Sequence, residues 1–217
     1  MKKIGEGWYY DVFDLENDRV LKKRKDFTSI AAKFDKAFFL RGIYKWFKGY
    51  NYAVKCAWAK ETGIDPTKGM KERIKKSFEL AKILGNPVFV SDTNYEQDKV
   101  RIIADSLSGI LEEDKKIIDS YIKSIFVCWE NAFSDRIYNF SINNGYNSWN
   151  DLILIDFNEV TFLKNEVLKD ILEKRWEKSW SAKQIDQKLQ NYYFEQMALQ
   201  ITPEALNKYW RQFYPVK

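Results

Sequence analysis

Between Trp149 and Phe162 the chain reads WNDLILIDFNEVTF, and this stretch constrains the fold more than any other. A turn built from Asn147, Ser148 and Asn150 leads into four apolar residues, Leu152 to Ile155, and the run stops at Asp156. A short, wholly apolar run bounded by turn residues predicts a buried strand. Carboxylates are rarely buried unless paired or bound to a metal, so Asp156 at the C-terminal mouth of that strand is read as serving something other than packing.

The residue types present limit the chemistry. Among 217 residues there is no histidine and there are two cysteines, Cys56 and Cys128. That excludes histidine general bases, Ser-His-Asp and Cys-His catalysis, and a structural zinc site. The two cysteines lie in apolar, helical-looking surroundings and are read as core thiols, which fits a reducing cytoplasm. What remains is carboxylates, Lys and Arg, hydroxyls, and a hard metal that prefers oxygen, such as Mg²⁺. A net charge of +5 suits anionic ligands but is too small to specify nucleic acid. No segment approaches the roughly 20 apolar residues of a membrane span, and the basic start Met1-Lys2-Lys3 is not followed by the apolar core of a signal peptide.

In chain order, alternation through Trp8, Tyr10, Val12 and Phe13 predicts a strand. Glu16-Asn17-Asp18 predicts a turn, and Arg19 to Lys22 a returning strand. Residues 26–61 read as helix broken near Gly42 and Gly49, with aromatic rings (Phe38, Tyr44, Trp46, Trp58) interleaved with lysines and arginines. This is either an amphipathic pair that packs its rings or a basic-aromatic face for nucleic acid or a membrane surface. A helix is expected from about Lys68 to Leu84 with Ile74, Phe78, Ala81 and Leu84 on one buried face, ended by Gly85-Asn86-Pro87. Strands are expected at Val88 to Ser91 and Lys99 to Ala104, joined by a polar loop from Asp92 to Asp98. A long amphipathic helix should follow from Glu112 to Asn131. After Phe162 the chain reads as three helices: Glu166 to Trp180, Ser181 to Gln200 with Ser181 as N-cap, and one opened by Thr202-Pro203.

The order of these features resembles the protein-kinase-like superfamily over residues 5–162. Gly5, Gly7 and Val12 match a glycine-rich loop of the form G-x-G-x-x-G-x-V, with Tyr10 at the third glycine. Lys22 in Val20-Leu21-Lys22 matches the strand lysine. Ile155-Asp156-Phe157-Asn158 resembles the strand-Asp-Phe-Gly segment whose Asp holds Mg²⁺, with Asn158 for glycine. Asn143 stands thirteen residues before Asp156, the interval of the second metal ligand, with Asn139 and Asn144 as rival amides. Tyr138 occupies the usual position of the catalytic carboxylate, and the nearest alternative is Asp135, in Ser134-Asp135-Arg136. The short tail is closest in character to RIO-type and PhoP-regulated bacterial kinase-like proteins.

The resemblance implies an α+β fold of the protein-kinase-like type. Residues 1–105 would form a small antiparallel β lobe with a helical insertion, and residues 106–217 a mainly helical lobe. It implies ATP and Mg²⁺ as cofactors. The nucleotide would be held by Gly5, Gly7, Val12, Lys22 and the hinge Ala104, Asp105 and Ser106, and the metal by Asn143 and Asp156. Lys22 and Asp135 would be catalytic, and Glu72 or Glu79 would pair with Lys22. The acceptor, a small molecule or a protein, is not specified. Two further readings stay open: a pseudokinase that binds nucleotide or a partner without turnover, and a basic-aromatic helical protein that binds nucleic acid.

Overall fold

The computed structural model describes residues 1–6, 10–25, 71–91, 94–135, 140–155, 160–179 and 181–212. Gly7, Cys56, Tyr138, Asn139, Asp156, Asn158 and the basic-aromatic stretch 26–61 lie outside them. The fold is mixed α+β, and its contacts divide it into two compact units: Met1–Lys71 with Pro87–Gln97, and Glu72–Asn86 with Asp98–Lys217. Among the described residues no helix is long and apolar enough to cross a membrane.

The first unit is built on a five-stranded sheet, with β1 (Lys2–Glu6), β2 (Tyr10–Asp14), β3 (Arg19–Arg24), β4 (Val88–Phe89) and β5 (Tyr95–Asp98) in the order β1-β2-β3-β5-β4. The pairings β1 with β2, β2 with β3, and β4 with β5 are antiparallel. The predicted turn between β2 and β3 is present, with Glu16 and Asp18 at positive φ (63° and 57°) and the Glu16 N–H donating to Asp14 Oδ1. The expected polar loop 92–98 is in part strand. Tyr95 and Gln97 are buried on β5, and Tyr10 meets Tyr95 edge-to-face at 5.4 Å between ring centres. Composition misleads here because Gln97 and Asp98 are polar and yet buried.

The second unit is organised around α3 (Leu111–Glu130), which buries Ile118, Tyr121, Ile122, Ile125 and Trp129 along one face. Before it come the short helix α1 (Phe78–Ile83), the two-residue strand β6 (Arg101–Ile102) and a single helical turn, α2 (Ile103–Ser106). After it come β7 (Ser134–Asp135), the one-turn α4 (Phe140–Asn143), β8 (Asn144–Tyr146), β9 (Leu152–Leu154) and β10 (Val160–Thr161). Three helices close the chain: α5 (Lys164–Leu172), α6 (Gln187–Gln200) and α7 (Pro203–Tyr209). β9 is the apolar run read from the sequence, with Ile153 and Leu154 buried as expected.

Four boundaries depart from the expectation, each for a local reason. The helix from Lys68 to Leu84 is interrupted at residues 75–77, where Ser77 turns extended and its side chain accepts from the Leu80 N–H. That new N-cap resets the phase, so Leu80 and Leu84 are buried while Phe78 is 77% exposed. The strand expected to reach Ala104 ends at Ile102, because Ser106 Oγ donates to the Ile102 carbonyl and the backbone winds into α2. The helix expected to reach Trp180 stops at Leu172, where Lys174 takes a left-handed φ of 44° and a short 3₁₀ turn follows. The cap expected at Ser181 belongs instead to Asp186, whose carboxylate accepts from the Lys188 N–H. Thr202 and Pro203 do open α7 as predicted, with Thr202 Oγ1 accepting from Ala205.

Gly145 on β8 lies opposite Ile102 on β6, and a Cβ built there would come within 2.5 Å of the Arg101 carbonyl oxygen. The close approach of two backbones is what requires glycine. Gly145→Ala should therefore cost about 2 kcal/mol, the usual penalty for forcing a carbon into filled space. Urea unfolding should show a lower midpoint at unchanged slope.

Candidate functional site

In the first unit the register of the sheet aligns three of the expected nucleotide-binding residues. Gly5 pairs with Val12, and Val12 pairs with Lys22, so the three form one row across β1, β2 and β3. Directly opposed residues of antiparallel strands share a face, so the row presents one glycine, one valine and one lysine side by side. Lys22 is buried (5% exposed), with its ammonium 5.6 Å from the centre of the Tyr95 ring, within cation–π range. A Cβ on Gly5 would make only ordinary contact with Val12, at 3.6 Å, and Gly5 has no positive φ. Nothing in the strand itself therefore demands glycine there. At the end of the β1–β2 hairpin, Lys3 and Lys25 both pair with Glu6 and with Asp11, which neutralises the two carboxylates.

In the second unit, β8 and β9 form an antiparallel hairpin with Asn144 opposite Leu154. One residue beyond that pair, the Ile155 N–H donates to the Asn143 carbonyl at 2.8 Å. Asn143 and the residue preceding Asp156 are thus hydrogen-bonded to each other, although Asp156 itself lies outside the described residues. The bond uses the Asn143 backbone, so it does not occupy the side-chain amide. Asn144, a rival amide, is fully buried, and its Nδ2 donates to the Phe140 carbonyl.

Asp135 sits on β7, opposite Val160 on β10, and is 8% exposed. With Tyr121, Cys128, Ser134, Asn144 and Leu154 it lines a small cavity with room for about one water molecule. Burial raises the pKa values of the Tyr121 phenol, the Tyr193 phenol and the Cys128 thiol well above their ordinary range, and the nearby Asp135 charge raises them further. Ser134 is held on both sides: its Oγ accepts from Trp129 Nε1 at 3.2 Å and donates to the Asp135 carbonyl at 2.8 Å.

Ala104 and Asp105 lie exposed on α2, a helical turn rather than an extended hinge, and Ser106 is half-buried with its hydroxyl turned back onto the chain. Glu72 and Glu79 are both exposed, and Glu79 sits in the first turn of α1, where a carboxylate suits the helix dipole. Among the described residues no group of three or more His, Cys, Asp or Glu side chains could hold a metal.

A polar centre that the sequence reading placed in a loop proves to be buried. Asp98 is 2% exposed, and its Oδ2 accepts from Asn86 Nδ2 and from Asn147 Nδ2, each at 3.2 Å. Asn147 Oδ1 in turn accepts from the Trp149 and Asp151 N–H groups, which fixes the β8–β9 turn. The sequence showed Asn86 and Asn147 only as turn residues, and nothing linked them to Asp98.

No protein-family model matches this sequence, and no curated protein matches it either.

Tyr121 and Tyr193 are neutral phenols in the folded protein, with pKa values raised by burial, while unfolded phenols ionise near pH 10. For groups whose folded pKa is raised, the stabilising contribution is complete below the unfolded value and is lost as pH rises past it. Unfolding free energy should begin to fall at about pH 8 to 9, where the unfolded Cys128 thiol ionises, and fall more steeply above about pH 10, measured by denaturant titration at each pH. A flat profile to pH 11 would contradict the burial of these phenols.

Proposed function

We propose that this chain is a phosphotransferase of the protein-kinase-like type that uses Mg²⁺ and ATP. The observation that carries the reading is the hydrogen bond from Ile155 N–H to the Asn143 carbonyl, which ties the loop bearing one proposed metal ligand to the residue before the other. An Asn amide oxygen and an Asp carboxylate are a hard oxygen donor set of the kind Mg²⁺ selects, alongside phosphate oxygens. The row Gly5-Val12-Lys22 supports the phosphate end: the lysine stands on the third strand, the context in which a strand lysine pairs with α- and β-phosphates. Gly5, not required by its own strand, keeps that row bare.

In the reaction an acceptor hydroxyl oxygen bonds to the γ-phosphorus as the bond to the β,γ-bridging oxygen breaks. ADP leaves with the electron pair, and the hydroxyl proton passes to Asp135. The protein contributes positioning and charge neutralisation. Asn143 and Asp156 would hold the magnesium ion, which would supply neutralisation of the phosphate oxygens. The burial of Asp135 favours a second reading, in which the site binds Mg-ATP without transferring phosphate. Detectable phosphate transfer that Lys22→Ala abolishes would remove it.

The test is a thermal-shift titration with ATP and Mg²⁺, together and separately. Bound at a hundredfold excess over its dissociation constant, the complex should add ~2.7 kcal/mol, which raises the midpoint by about 5 to 10 °C in a domain of this size. Asn143→Ala and Asp156→Ala should each lose the Mg²⁺-dependent part. Because Asn143 serves the fold through its backbone, Asn143→Ala should melt at the wild-type temperature without ligand. No shift in any combination would overturn the reading.

A further inference from the structure

Arg73 is a buried guanidinium (8% exposed) in the helical stretch 71–74, with contacts to Asn131 and Phe162. Its Nε donates to the Asn131 carbonyl at the C-terminal end of α3, at 2.9 Å. Its guanidinium carbon lies 4.1 Å from the centre of the Phe162 ring. Asn131 comes three residues before Ser134, and Phe162 directly follows Thr161. Ser134 and Thr161 pair with each other, as do Asp135 and Val160, so the arginine grips both chains where they leave one two-stranded ladder. Phe162 also meets Phe133 edge-to-face at 6.5 Å, which extends the grip along the β7 side.

We infer that Arg73 is a positioning residue, which clamps the β7–β10 pair and so sets the placement of Asp135 on one strand and of Val160 and Thr161 on the other. A ladder of two residue pairs is too short to hold itself in water. Arg73 supplies what the ladder lacks, since a planar guanidinium can hydrogen-bond at its edge and stack on its face at once, and an ammonium cannot. The partial negative charge at the end of α3 favours a cation at that point. Burial lowers the Arg73 pKa without discharging the group, so the clamp does not depend on pH in the ordinary range. The inference deepens the phosphotransfer reading and rests on it only for its effect on turnover.

The experiment compares wild type, Arg73→Met, Arg73→Lys and Phe162→Leu by amide hydrogen exchange and by steady-state ATP turnover. In Arg73→Met the segments 131–135 and 160–162 should exchange at least ~10-fold faster while α6 keeps its protection, the signature of local opening. Turnover should fall by at least ~10-fold with the KM for ATP within about 2-fold, because the loss is of geometry in the transition state and not of nucleotide binding. Arg73→Lys should rescue neither. Phe162→Leu removes only the stacking face, and the same two segments should open with α6 unchanged, which decides the matter if Arg73→Met does not fold. Unchanged exchange in 131–135 and 160–162, or full rescue by Arg73→Lys, would overturn the clamp. A wild-type protein with no turnover would sink the phosphotransfer reading alone, since the exchange measurement still decides whether Arg73 holds the ladder.

Discussion

The second unit depends on the burial of one face of α3. Ile118, Tyr121, Ile122, Ile125 and Trp129 recur at helical spacing and are each almost wholly removed from water. At about 1.5 to 3 kcal/mol for each large apolar side chain, that face contributes on the order of 10 kcal/mol before entropy is charged against it. The polar ends of the helix are then held with little freedom. At its start Asp114 accepts from Ser108 N–H, Ser108 Oγ and Gly109 N–H, and at its end Asn131 turns its amide back onto the Val127 carbonyl. Ala132 takes a left-handed φ of 55°, and the chain reverses into Phe133, Ser134 and Asp135. The placement of β7 is therefore a consequence of where α3 stops.

A second consequence concerns the rings. Tyr121 from α3 and Tyr193 from α6 flank Phe140, with Tyr193 stacked on Phe140 at 4.5 Å between centres. Phe140 opens the turn that ends in Asn143, so the aromatic packing of the helical core anchors the loop on which the proposed metal ligand rides. Offset and edge-on ring pairs add about 0.5 to 1.5 kcal/mol beyond area and, more to the point, they fix direction. The richness in Tyr, Phe and Trp that stands out in the sequence is spent, in this part of the chain, on orientation as well as burial.

What could be read from the sequence divides along physical lines. Strong periodicity gave reliable elements: the β2–β3 hairpin, the long helix at Leu111–Glu130, the buried strand at Leu152–Leu154, and the Thr202-Pro203 helix start. The resemblance joined Asn143 to Asp156 by their interval, and the structure adds a backbone hydrogen bond between residues 143 and 155. The misreadings have physical causes of two main kinds. At Ser77, Ser106 and Asp186 a short polar side chain bonds to nearby backbone and resets the local conformation, an effect that hydrophobic pattern does not see. At Gln97 and Asp98 the error was to equate polarity with exposure, when Asp98 is buried against two amides contributed from remote points of the chain. Partnership at a sequence distance of 49 residues leaves no local trace.

Lys22 makes the same point in reverse. An apolar residue at that point of β3, opposite Val12 and beside Tyr95, would satisfy the alternation of the strand and bury its area without the cost of desolvating an ammonium. Local rules favour valine or isoleucine there, yet the chain places a lysine in the row and leaves its first position to a glycine that the backbone does not need. The Tyr95 ring beneath the ammonium offsets part of the cost of burying that charge. On the proposed reading this row is where a phosphate would meet the lysine, and departures from local consistency do concentrate where a protein binds something.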